Sequence, residues 1–190
     1  MDYRWSILRV SKEELTFPYN FFGIIDFFSY FCRQNPHYLL LKMKRQRITI
    51  GSILQIPVED YYCYAQILGK GSYAFFDYKS SKPLSFFDVL INTPILFIIA
   101  VYNDVVTTGV WEKVGKLPIR EDLKILPNQF IHHKNENPEY ELYNTETGEI
   151  TPSSKEEVKG LECCAVWDSH HVVDRIRCHY NGEPCIWLND

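Results

Sequence analysis

From about residue 46 onward, apolar and polar positions alternate with the two-residue period of strands that bury one face. Ile48, Ile50, Leu54 and Ile56 mark one such face, with Thr49, Gly51 and Gln55 between them. Pro57 has no N–H to donate and is expected to close this strand. Glu59-Asp60 makes a polar turn, and Tyr61 to Leu68 reads as the second strand. Gly69-Lys70-Gly71 is a hairpin signal, since glycine accepts the positive φ of tight turns, and Tyr73 to Tyr78 is the returning strand. Ser80-Ser81-Lys82-Pro83 is a loop. Ile95 to Tyr102 is continuously apolar, which predicts a central strand buried on both faces. Asn103-Asp104 turns the chain into a further strand, Val105 to Val114, which carries Trp111 and ends at Gly115 to Pro118.

Residues 130–152 are polar and read as a long loop holding one short hairpin, Tyr140 to Tyr143 with Glu149-Ile150 returning. A single helix follows. Asp168 suits the N-cap, because its carboxylate can accept from free N–H groups of the first turn. Val172, Val173, Ile176 and Tyr180 recur at helical spacing; Arg175 and Arg177 lie toward the end that favours cations. Asn181-Gly182 and Pro184 stop the helix, and Trp187 is expected to dock on the sheet. The pattern predicts a mainly β (α+β) fold: a strongly curved antiparallel sheet or small SH3-like barrel with a C-terminal helix packed on it.

Residues 1–45 break this pattern. Phe17 to Phe31 is the most apolar run, but it falls short of the ~20 residues a membrane span needs and is interrupted by Pro18, Asn20 and Asp26. No small-residue cleavage site follows it. The run predicts a short helix or apolar arm rather than a membrane segment. Met43, followed by Lys-Arg-Gln-Arg and then the first strand, opens a second reading in which the native protein starts there. The division expected is an N-terminal extension, 1–45, and a β-rich domain, 46–190.

Composition narrows the setting. At 190 residues the chain can bury a core without metal or disulfide. Its six cysteines include no C-x-x-C, and Cys163 and Cys164 are adjacent, so reduced thiols in a cytoplasmic protein fit best. The net charge of −4 is uneven: Pro118 to Asp190 holds seven Lys and Arg against fourteen Asp and Glu. That excess repels phosphates and suits a basic protein partner.

The sequence offers little for chemistry. There is no G-x-S-x-G, H-E-x-x-H, P-loop or G-x-G-x-x-G. Cys178, His179 and Cys185, with His170 or His171, come nearest to a metal site, but the cysteines are too widely spaced for a zinc knuckle. The two adjacent histidines should point apart on a helix. His132-His133 read as surface residues. Glu59-Asp60, Glu121-Asp122 and Glu156-Glu157 read as solvated charge. The basic run Lys42 to Arg47 is short and carries no RNP-type motif. The expectation is no catalytic residue, no metal and no cofactor, with nucleic acid disfavoured as a ligand.

The order of segments resembles the polymorphic-toxin immunity protein 26 family of bacteria. The resemblance rests on Ile50-Gly51-Ser52-Ile53-Leu54-Gln55-Ile56-Pro57, Tyr62 to Leu68, Pro94-Ile95-Leu96-Phe97 and Gly109-Val110-Trp111-Glu112-Lys113-Val114-Gly115-Lys116-Leu117-Pro118. Where the family pattern G-D-x-x-x-I-P-L has Asp and Leu, this chain has Ser52 and Val58. The motif residues Gly51, Pro57, Gly109, Trp111, Gly115 and Pro118 read as structural. The resemblance implies a cytoplasmic antidote that binds a cognate toxin, often a nuclease with a basic surface. The acidic stretch is the face expected to meet it, through Glu136, Glu139, Glu141, Glu146 and Glu149, with Tyr140 or Tyr143 as an aromatic anchor. The competing reading is an SH3-like or barrel-type interaction or nucleic-acid-binding module with no toxin partner.

Overall fold

The structure, a computed structural model, describes residues 45–134 and 137–188. The N-terminal extension up to residue 44, including the start read at Met43, lies outside the described residues. The strands within them are β1 (Ser52–Val58), β2 (Tyr61–Gly69), β3 (Ser72–Ser80), β4 (Ile95–Val101), β5 (Glu112–Lys116), β6 (Gln129–His132), β7 (Tyr140–Tyr143), β8 (Ile150–Ser153), β9 (Glu162–Cys163) and β10 (Val166–Trp167). A one-turn helix, α1 (Asp104–Thr107), separates β4 from β5, and a longer one, α2 (Ser169–Asn181), follows β10.

These strands form two sheets. The larger has the order β10-β4-β3-β2-β1-β5, antiparallel except where β10 runs beside β4; the smaller has the order β8-β7-β6-β9, with β9 parallel to β6. Neither closes into a barrel. The fold is mainly β, with two open sheets and a C-terminal helix.

Strict alternation puts a core on each face of the larger sheet. Leu54, Ile56, Ala65, Ile67, Phe75 and Ile99 face Val172 and Ile176 of α2, together with Trp111 and Trp167. Ile53, Tyr64, Phe76 and Leu90 form the core on the opposite face, where Phe87 and Leu84 pack as a lid. A third, smaller cluster of Phe130, Tyr140 and Val158 belongs to the smaller sheet.

Several expectations need correction. Ile48 and Ile50 are exposed and precede β1. Pro57 does not end β1, which runs on to Val58. Because β5 ends opposite Gln55, Pro57 sits where β1 has one neighbour only, and a missing N–H is tolerated there. Val105 to Val114 is not one strand: Val105 and Val106 turn into α1, Gly109 takes φ +84°, and β5 begins after Trp111. β4 is next to the edge strand β10, with only alternate residues fully buried. Asp168 occupies the N-cap, but its side chain makes no cap hydrogen bond. Gly182 closes α2 in the left-handed conformation, its N–H donating to His179 O while Glu183 N–H donates to Cys178 O. Trp187 docks on α2 rather than on the sheet, with its ring 3.7 Å from that of His171.

Two of the motif segments, around Gly51 and around Gly115 to Pro118, meet in one structural latch. Gly51 has φ +83°, and a Cβ there would lie 2.8 Å from Leu117 O. Leu117 N–H donates to Gly51 O at 3.0 Å. Buried Gln66 seals the junction, donating Nε2 to Leu117 O at 2.9 Å and to Gly51 and Pro118 O at 3.4 Å. At Gly115 a Cβ would meet the Phe87 ring at 2.5 Å, so this glycine makes room for the lid.

One consequence concerns alkaline stability. At one end of β2, Tyr61 and Tyr180 meet edge to face at 5.8 Å, with Lys79 over both rings and the Cys63 thiol beneath. Burial pushes the Tyr61 hydroxyl and the Cys63 thiol each up to about 12, and pushes Tyr180 up as well. The folded state therefore favours the neutral forms. That contribution is fully present below the unfolded value near 9 for the thiol, and is lost as pH rises toward 12. Urea unfolding across this range is expected to show a falling midpoint. Tyr61 Oη is buried without a hydrogen-bond partner among the described residues, so Tyr61→Phe should hold or raise stability at neutral pH and blunt the alkaline decline.

Candidate functional site

The acidic stretch is not a long loop. Gln129–His132 forms β6, and β7 pairs with it on one side and with β8 on the other. Cross-strand neighbours then order the side chains. Tyr140 is buried, stacked on the His132 ring at 4.6 Å and packed against Phe130. It is core to the smaller sheet rather than an anchor held out to solvent. Tyr143 is half-buried on β7.

The carboxylates separate by environment. Glu141 Oε2 lies 2.8 Å from His133 Nε2, and Glu139 Oε1 lies 3.3 Å from His132 Nε2. The histidines that read as idle surface residues are thus the partners of two candidate acids. Glu146 is a brace: it accepts from Lys70 Nζ at 3.1 Å and from Leu126 N–H at 3.3 Å. The same lysine reaches Thr145 O and Glu146 O, so the tip of the β2–β3 hairpin is pinned to the turn between β7 and β8. The Lys70 ammonium holds the Glu146 carboxyl below the usual range. Glu149 is exposed, and its carboxylate has no partner among the described residues; Glu136 lies outside them. Glu157 is occupied by Ser153 and Ser154, whose donors lower its carboxyl, the Ser154 N–H above all.

Two exposed carboxylates stand at opposite ends of the β7–β8 pair, Glu139 beside Tyr140 and Ser153 and Glu149 beside Tyr143 and Ile150, while Glu146 is held by Lys70. β8 is one of the smaller sheet's two edge strands, exposed over Ile150 to Pro152, and Pro152 blunts it against pairing with another chain. On the larger sheet, Arg45 and Arg47 are exposed beside Thr107 and Thr108, and Lys113 Nζ donates to Arg47 O at 3.0 Å.

Arg175, expected merely to complement the helix dipole, is buried. It donates Nη1 to Glu162 Oε2 at 2.8 Å and Nη2 to Glu162 Oε1 at 2.6 Å, while its guanidinium carbon lies 3.9 Å above the Phe97 ring. It ties α2 to both sheets at once. Among the described residues no helix is long and apolar enough to cross a membrane.

Compared with known proteins, residues 49–141 match the family described as Immunity protein 26. The match runs from the turn before β1 into the first half of β7, so it includes the latch, Trp111, Glu139, Tyr140 and Glu141. No curated protein and no solved structure matches.

Proposed function

Through residues 49–141 the chain belongs to the immunity protein 26 family, and on that premise we propose that it binds a cognate bacterial toxin in the cytoplasm and blocks it without chemistry of its own. The family match carries this reading. The charge distribution gives it direction: the exposed carboxylates of the smaller sheet suit a toxin with a basic surface, such as a nuclease that must hold phosphates. In this reading Glu139 and Glu149 steer the encounter, Glu141 and Tyr143 contribute at closer range, and Glu146 holds the hairpin in shape.

The reading predicts that a neighbouring gene encodes the toxin, and co-expression with that gene's product is the test. The full chain should restore growth and co-purify with the toxin; failure of both would remove the reading. Within the complex, reversing Glu139 and Glu149 to lysine should slow association by about tenfold or more, with a weaker salt dependence and a smaller change in dissociation. Stopped-flow association at two ionic strengths measures this. An unchanged rate would move the interface elsewhere while leaving the immunity reading intact.

A further inference from the structure

We propose that Asp168, His170 and His171, at the start of α2, form a binding site for a divalent transition-metal ion of the zinc class. Each offers one ligand atom, and these atoms all lie within 4.8 Å of one another. Successive helical residues diverge by about 100°, so adjacent histidines are expected to part. Here their ring centroids are 3.9 Å apart. Asp168 supplies the second observation. An N-cap aspartate ordinarily uses its carboxylate on the first free N–H groups. This one makes no such bond, and its Oδ2 stands 3.9 Å from His171 Nδ1.

The surroundings favour a ligand set over a chance cluster. The Trp187 ring lies 3.7 Å from that of His171, and its Nε1 donates to Asp174 Oδ2 at 3.1 Å, which fixes the ring against the histidine. With metal bonds of about 2.0–2.2 Å, donors on a tetrahedral zinc sit roughly 3.3–3.5 Å apart. Closing the remaining gap calls for a change of side-chain rotamer at the exposed Asp168. Two imidazoles and one carboxylate suit zinc, nickel or copper better than the all-oxygen cations calcium and magnesium. Three protein ligands leave a position open to water or to a partner's side chain. The positive end of the α2 dipole opposes any cation here, and the Asp168 charge offsets it, so binding is expected to be weaker than at structural zinc sites. An ion would join the entry of α2 to the C-terminal segment through the His171–Trp187 contact.

The test is zinc titration of the full, untagged chain by calorimetry. A single site is expected, lost in H170A and H171A and in D168N, and retained in C178S/C185S, which removes the thiol of α2 and that of the segment leading to Trp187. Cobalt in place of zinc should give a spectrum without a thiolate charge-transfer band. If H171A does not fold, H170A, at an exposed position, carries the test. The proposal is overturned if the full chain takes up no zinc, if H170A binds as well as the parent, or if cobalt shows a thiolate band that C178S/C185S abolishes.

Discussion

Replacing Arg175 by methionine is expected to lower the folding free energy by about 3 kcal/mol, the lower end of the 3–5 kcal/mol seen when a buried ion pair loses one partner. Arg175 is 9% exposed, and both of its terminal nitrogens are committed to Glu162. Methionine keeps the packing of the stem but leaves the Glu162 carboxylate uncompensated beside the aromatic surface of Phe97 and Trp167. About a quarter of the Glu162 side chain still meets water, at 24%, which tempers the loss. R175K should be damaging too, since an ammonium offers neither the two-pronged geometry nor the flat face that lies over Phe97. E162Q should cost less, because the amide oxygen still accepts. The double variant R175M/E162L should recover part of the loss but not the cation–π contribution, about 0.5–2 kcal/mol. Urea unfolding of the four variants completes the comparison. A loss below about 1 kcal/mol for R175M would mean that the pair behaves like an exposed ion pair and does not hold α2 to the two sheets.

That ion pair also shows where sequence reading ran out. The meander β1–β2–β3 was legible because β1 alternates, β2 is rich in tyrosine and other strand-forming residues, and the turns carry Glu59-Asp60 or Gly69-Lys70-Gly71. The stop of α2 at Gly182 was legible for a similarly local reason. α1 was not: Val105 and Val106 are β-branched and read as strand, yet the Asn103–Gly109 segment closes on itself through backbone bonds such as Thr107 N–H to Asn103 O. β9 and β10 are two residues each and have no period to detect; they exist because parallel partners, β6 and β4, come from distant sequence. The same separation hid the roles of single side chains. Glu146 looked like a free acid until Lys70, 76 residues away, was seen to hold it. Arg175 looked like a dipole complement until Glu162 came beside it. Tyr140 looked like an anchor because its loop was taken as irregular; pairing with β6 turns it inward beneath His132. The family resemblance was legible since it rests on contiguous motifs, of which the first and last, at Gly51 and at Leu117-Pro118, meet in the latch.

Trp111→Ala is expected to have the larger effect, about 3–5 kcal/mol for loss of a buried tryptophan, and its ring contacts and braced backbone put it at the upper end. Trp111 is 1% exposed and meets Tyr73 and Phe75 edge to face at 6.5 and 5.9 Å. Such aromatic contacts add about 0.5–1.5 kcal/mol beyond area burial. The surrounding backbone also resists collapse into the space left behind. Trp111 N–H donates to Val105 O at 2.8 Å, and Gln46 bridges Trp111 O, Val106 O and Lys113 N–H. Trp111→Phe should recover part of the loss, since it keeps an edge toward Phe75. A loss of this size approaches the whole stability of many domains, so Trp111→Ala should fail to protect against a toxin by failing to fold. Thermal unfolding by circular dichroism, read beside toxin binding, separates this from a surface role for the tryptophan. A Trp111→Ala chain that melts normally but no longer binds would make Trp111 a contact residue and would contradict its place in the core of the larger sheet.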